Sequence, residues 1–428
     1  QMCIRDSGGT VQCVACDRPA QTVEFISGTL YENTGSSYAI HVPEGGNGTW
    51  SLANRSTYTN KITGEGTLTI YCAVEHGNGW FATRTPVAVN LSLFTGTINA
   101  TADMADSYPR FTLNTSSGMP DGTLNITAGV TVQNTGRTFR IGKLAGKGTL
   151  GGYASFANDG ATGVNTWQVG CDDDFAWAGT VTANSKFEKV GSGKMTVSGV
   201  WDNTGEVAVK EGTLCLNDRS AENAMLGSGE LSVEDGAVLC GMGKLGNASV
   251  TVERGGRLYS GTREGASSGT LDFSGKRLTV STGGEVLFNV ASKVRCTTLE
   301  GISSFSLRGT LKVSVREGLE LEAGDEFQLW VANRTALSSA CTLDLDSPGE
   351  GLEWDTSALE NGILKVKTAT GITGVVSGEP VDCVVYTLDG ARAGSFTCMP
   401  SEVGEYMERN GFRSCLLYTS PSPRDYAA

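Results

Sequence analysis

The chain has 428 residues, with 33 Lys and Arg against 46 Asp and Glu, a formal net charge of −13. That balance opposes nucleic-acid binding, which uses a basic face, and no apolar run approaches the roughly 18–20 residues of a membrane-spanning helix. Glycine is abundant at 58 residues while aromatics make up 7%, a composition suited to many tight turns between short strands.

In chain order, the first stretch (1–7) begins Gln1-Met2-Cys3-Ile4-Arg5-Asp6 and reads like a translated sequencing-library adaptor. The last (414–428) contains Cys415-Leu416-Leu417-Tyr418-Thr419-Ser420-Pro421 and reads like the adaptor of the opposite end. Both are expected to carry no fold information. The natural segment is then expected to span about Gly8–Arg413, cut at both ends, so the lack of a signal peptide has no weight.

Region 8–183 holds irregular strands at Thr22–Leu30, Thr49–Leu52, Val87–Phe94, Arg110–Asn114 and Thr138–Ile141, separated by Gly, Asn, Ser and Asp clusters that favour turns. In region 184–368 the strands come faster and share one pattern, a glycine followed by apolar–polar–apolar alternation. Gly193-Lys194-Met195-Thr196-Val197, Gly212-Thr213-Leu214-Cys215-Leu216, Gly229-Glu230-Leu231-Ser232-Val233 and Gly309-Thr310-Leu311-Lys312-Val313 all carry it, as do Gly66–Ile70 and Gly122–Ile126 upstream. Period-two alternation marks a half-buried strand. So short a unit cannot bury its apolar face alone, and repetition therefore implies stacking.

Met195, Leu214, Leu231 and Val250 are expected to be equivalent positions of successive coils. Further strands are expected at Phe305–Val315, Glu326–Ala332 and Ile363–Lys367, and at Val384–Leu388 in the tail, 369–413. Ser220–Leu226 has the pattern of a single helical turn.

Three segments resemble a class of bacterial surface proteins. Phe187-Glu188-Lys189-Val190-Gly191-Ser192-Gly193, then Met195–Gly199 and Glu211-Gly212-Thr213-Leu214, is similar to autotransporter-associated β-strand repeats. Gly351-Leu352-Glu353-Trp354-Asp355, with Gly362-Ile363-Leu364 and the upstream Gly324–Leu329, resembles the segment that closes such repeat regions. Val385-Tyr386-Thr387-Leu388-Asp389-Gly390-Ala391-Arg392, followed by Gly404-Glu405-Tyr406-Met407, looks like the C-terminal sorting domain of type IX secretion in Bacteroidetes. Glu405 stands where that domain usually has an apolar residue, and its final basic strand is missing.

The resemblance implies an all-β fold, a right-handed parallel β-helix followed by a truncated small β-sandwich-like tail. About fourteen coils spaced roughly 4.8 Å apart would make a rod of about 60–70 Å. It also implies a secreted or outer-surface location, reached by the secretion machinery through the tail.

Chemistry is sparse. The only histidines, His41 and His76, sit beside glycine-rich turns and outside any nucleophile or zinc motif. Cys13 and Cys16 have redox or metal spacing but no second pair and no nearby histidine. The cysteines from Cys72 to Cys398 are scattered, and burial as small apolar residues is the expected role. Aligning Gly212 with Gly236 offsets Cys215 from Cys240 by one position, which predicts opposite sheet faces.

Asp172, Asp173 and Asp174 are expected to form a solvated turn, with calcium binding and glycosidic catalysis as the alternatives. Trp177 and Trp354 are expected to cap or plug the stack, with sugar stacking as the alternative. Arg137, Arg140, Lys143 and Lys147 come nearest to the basic cluster a uronate lyase needs, and scattered solvated side chains are the expected reading. No cofactor is expected.

The functional expectation is a non-catalytic scaffold or adhesin contacting glycans or other surface proteins. The alternative is the accessory β-helix of a larger secreted polysaccharide-degrading enzyme. A third reading makes the β-helix itself a lyase.

Overall fold

The computed structural model describes residues 22–369 with interruptions at 33–35, 53–57, 73–85, 103, 105–109, 114, 135, 153–163, 183–184, 218–225 and 267. It also describes the strands Met2–Ile4, Thr10–Cys13, Val381–Thr387, Arg392–Cys398 and Cys415–Thr419, and residue 409. Two compact units result, residues 1–349 with 354–367, and residues 350–353 with 368–428.

The first unit is a parallel β-helix. Alternation sends every second side chain inward, and successive coils then place apolar residues directly above one another. Phe139, Trp167, Phe187, Val207, Leu231, Val250, Leu278 and Phe305 form one such column, in register from coil to coil and buried throughout. A second sheet stacks Met195, Leu214, Leu239, Leu258, Val286 and Leu311 in the same way. Towards the N-terminal end the column is Leu30, Trp50, Ile70, Ala100 and Ile126. Burying one such side chain is favourable by about 1.5–3 kcal/mol, so the core is assembled from many equal contributions.

Two further parallel sheets complete the N-terminal coils. One runs through Thr22–Phe25, Ala39–Val42, Lys61–Gly64 and Asn90–Phe94, the other from Pro86–Val87 to Thr180–Val181. Strand Val238–Lys244 turns a corner and pairs with Arg257–Ser260 in one sheet and Thr270–Val280 in another. The corner links the sheets; it does not close a barrel. Register is unbroken between Trp167 and Phe187, so the irregular and the repetitive regions belong to one stack.

All six glycine-led segments are strands, but they lie in different sheets. Met195 does pair with Leu214, and Leu231 with Val250. Leu214, however, pairs with Leu239, and Leu231 with Val207. The expected equivalence of all four positions is therefore incorrect. A spacing of 17 residues between Leu214 and Leu231 measures the path from one sheet to the next, not a coil. Alternation reports which way a side chain faces and is silent about which sheet it belongs to.

The Lys-x-Gly-x-Gly turn has a steric explanation. Gly191 adopts φ +74°, in the left-handed region, and a Cβ on Gly193 would lie 2.3 Å from the Asp173 carbonyl oxygen of the preceding coil. Only glycine permits backbones to stack this closely.

At its C-terminal end the first unit changes from parallel to antiparallel pairing, with Glu326–Gln328 against Ile363–Thr368 through Phe327 and Leu364. Trp330 is fully buried there, its ring 5.1 Å from Phe305 and 5.9 Å from Phe288.

In the second unit, Val381–Thr387 is the middle strand of an antiparallel sheet between Arg392–Cys398 and Cys415–Thr419. The adaptor-like ends thus both supply strands, Met2–Ile4 along Thr22–Phe25 and Cys415–Thr419 along Val381–Thr387. Each sits on an open sheet edge, where unpaired backbone groups template any extended segment. Of Ser220–Leu226, only Leu226 lies within the described residues; it has φ +61°.

Candidate functional site

The three aspartates occupy the turn before strand Phe175–Trp177, and they diverge. Asp172 accepts hydrogen bonds from the Ser192 hydroxyl (2.7 Å) and amide (3.3 Å), which hold its carboxyl below the usual range. Asp173 pairs with Lys143 at 2.6 Å, and Asp174 accepts from the Lys194 amide at 2.7 Å. Each carboxylate therefore tethers one coil to a neighbour, and all three are exposed. Among the described residues no group of three or more His, Cys, Asp or Glu is arranged to hold a metal ion.

Of the basic set, Lys143 is engaged by Asp173 and the Arg140 guanidinium donates to the Gly170 carbonyl at 3.1 Å. His41 lies on strand Ala39–Val42 with Nδ1 3.1 Å from Thr63 Oγ1. His76 and Cys16 fall outside the described residues. Trp177 is 2% exposed, 5.9 Å from Trp201, which packs on Phe187 at 4.6 Å. It belongs to the core. Trp354 is half-buried, edge-on to Phe327 at 6.0 Å, with its indole N–H donating to the Asp346 carbonyl at 2.7 Å. Trp330, fully buried against Phe305 and Phe288, plugs the C-terminal end of the stack.

Three polar clusters escape sequence reasoning. Glu32 is 2% exposed, and its carboxyl accepts from Ser36 (2.8 Å), Trp50 (2.9 Å) and the Tyr38 phenol. Burial raises its pKa despite these donors. Lys189 is also fully buried, in register with Val169 and Val209 of the adjacent coils. Its ammonium donates to the carbonyls of Val190 (3.0 Å), Gly191 (2.8 Å) and Glu211 (3.1 Å). Burial pulls its pKa down to about 8. The Lys-x-Gly-x-Gly pattern thus contains its own donor: the lysine satisfies carbonyls that the turn leaves unpaired inside the coil.

The third cluster overturns an expectation. Cys215 and Cys240 are directly in register on neighbouring strands, facing the same side, and both are fully buried. The glycine alignment fails because Thr213 pairs with Val238, not Ala237. Alternation with the inward Leu214 and Leu239 places both thiols on the outer side of their sheet. They are nevertheless buried, because residues 261–266 fold over them as a flap, with the Thr262 carbonyl 3.9 Å from Cys215 Sγ and 2.5 Å from Lys194 Nζ.

On the outer surface, polar side chains join coil to coil. Asn125 donates to Asn99 (2.9 Å) and Asn99 to Thr69 (3.3 Å). Gln168 donates to Glu188 (2.8 Å), which also pairs with Lys210 (2.9 Å), and Lys186 pairs with Glu206 (3.2 Å). The chain matches no protein-family model and no curated protein.

Proposed function

We propose that this protein is a non-catalytic β-helical scaffold of the cell surface or extracellular space, working as a stalk or adhesin towards glycans or other surface proteins. The observation that carries this reading is the use of the outer polar side chains. Asn99, Asn125, Glu188, Lys210 and the aspartates of the 172–174 turn are spent on joining one coil to the next. A catalytic site needs charged groups converging on a shared point; here they diverge.

The resemblance of Phe187–Gly199 to surface repeats and of Val385–Arg392 to a type IX sorting domain supports the extracellular placement. The solenoid supplies rows of in-register, half-buried Thr such as Thr67, Thr97 and Thr123, a surface suited to weak, repeated contacts.

The test is incubation of the full chain with pectin, alginate and other uronic-acid polymers, alongside a pull-down on the same insoluble glycans. Retention on glycan or on cell-surface material without product release is the expected result. Accumulation of unsaturated oligosaccharides would overturn the scaffold reading in favour of a lyase.

A further inference from the structure

We propose that Cys215 and Cys240 are a thiol–disulfide exchange pair that reversibly cross-links adjacent coils beneath the 261–266 flap, with low-molecular-weight disulfides as the oxidising substrate. In-register residues on neighbouring strands are about 4.8 Å apart, inside the Cα separation that a disulfide requires. Both side chains leave the sheet on the same side, so a bond between them needs no change of register.

The surroundings differentiate the two sulfurs. The Lys194 ammonium sits on the same Thr262 carbonyl that faces Cys215 Sγ, and the adjacent Cys240 thiol and this cation lower the Cys215 pKa below the usual thiol value. The adjacent Cys215 sulfur and burial raise that of Cys240. Tyr259, in register with Cys240 on the next strand, lines the far side. A thiol that is ionised earlier beside a second that is not is the arrangement of an attacking and a resolving cysteine.

The flap is held by a few polar ties: Arg257 with Glu264 (2.9 Å), Asn289 to the Ala266 carbonyl (2.8 Å), and the Gly261 amide to the Gly241 carbonyl (2.7 Å). An open groove of about 420 Å³ beside its return leg is lined by Met242, Lys244, Ser268, Gly269, Thr270 and Asp272. Met242 lies two residues beyond Cys240, across the corner at Gly241, so the groove it lines begins close to the flap and gives a small disulfide an approach to the flap edge.

The chemistry balances. Cys215 thiolate attacks one sulfur of RSSR, an S–S bond forms to the protein, and RS⁻ leaves with the bonding pair and takes up a proton. Cys240 then loses its proton to solvent and attacks Cys215 Sγ, expelling the second RS⁻. Two protein thiols are oxidised and one RSSR is reduced to two RSH.

The test treats the fully reduced chain with oxidised glutathione and maps cysteines by non-reducing peptide mass spectrometry. A Cys215–Cys240 linked peptide, lighter by two hydrogens and restored by dithiothreitol, is expected. Cys240→Ser should accumulate a glutathione adduct on Cys215, whereas Cys215→Ser should leave Cys240 unmodified over the same time. Lys194→Met should slow adduct formation about threefold for each pKa unit gained, thiolate loss being partly offset by higher nucleophilicity, and shift its pH profile upward. Glu264→Gln, which loosens the flap, should speed the reaction.

Equal modification of the two single mutants, preferred pairing of Cys215 with another cysteine, or inertness of the pair even in Glu264→Gln would each overturn the proposal.

Discussion

Replacing Trp330 by alanine measures what closes the stack. The indole is fully buried, touches Phe305 and Phe288 at 5.1 and 5.9 Å, and donates to Thr335 Oγ1 at 3.1 Å. Truncating a fully buried tryptophan costs about 3–5 kcal/mol, and two ring contacts place this one near the top of that range. Trp354, half-buried with one ring contact and one hydrogen bond, should cost about 1–2 kcal/mol.

Coils contact mainly their neighbours, so the loss should stay local. Native-state hydrogen exchange is the assay. In Trp330→Ala, peptides covering Glu285–Ser292 and Thr298–Leu307, which carry Phe288 and Phe305, should exchange up to ~10³-fold faster, the equivalent of about 4 kcal/mol. Peptides around Asn165–Val169 should be unchanged. Trp354→Ala should accelerate exchange roughly tenfold, near the terminal coil only. Equal effects of the two substitutions, or a uniform loss of protection along the stack, would refute the assignment of Trp330 as the plug.

Three other outcomes follow from named contacts. Lys189 has a folded pKa of about 8 against 10.5 for an ordinary lysine, so between those pH values the folded state binds fewer protons than the unfolded one. Its desolvation penalty is fully present below about pH 8 and is relieved as pH rises to 10.5. Compared with Lys189→Met, the wild type should therefore gain roughly 3 kcal/mol across that window; a difference that stays flat in urea titrations refutes it. Gly170→Ala places a Cβ 1.7 Å from the Val190 carbonyl oxygen at φ +141° and should cost about 3 kcal/mol or more. Gly236→Ala, with nothing within 4 Å and φ +74°, should cost about 1–2 kcal/mol. Similar thermal midpoints for the two would show that close coil approach is not the constraint. Asp173→Asn removes an exposed ion pair to Lys143 and should change stability by less than about 1 kcal/mol, with calcium having no effect on the melting of either protein.

The sequence discloses direction more readily than address. Alternation at Thr67–Ile70 or Thr310–Val313 needs only local residue types, so strand and inward face are legible directly. The identity of the sheet is not local, and spacing alone puts Leu231 in the wrong sheet because corners of different length separate similar strands. Cys215 and Cys240 illustrate the same limit: a shift of one residue in the assumed register exchanged the two faces. Lys189 was readable as part of a glycine turn, yet nothing in its type announces an inward lysine, since its acceptors belong to the turn and to the next coil. Glu32 is concealed for a related reason, because its donors Tyr38 and Trp50 come together only when coils stack. Trp330 lacked any motif of its own, whereas Trp354 stood in a recognisable one.

Lys189 has a further consequence for assembly. A pile of near-equivalent coils resembles a measuring tape with unmarked divisions: apolar columns of Val and Leu would tolerate displacement by a whole coil with little change in contact. Among the described residues, Lys189 and Glu32 are the charged side chains buried in this pile. Displacing the Lys189 strand by one coil would keep the Val190 and Gly191 acceptors, which travel with it, but would remove its ammonium from the Glu211 carbonyl and leave a buried charge short of one partner. Lys189 is thus a printed mark on the tape, one that tells each strand which neighbour is its own.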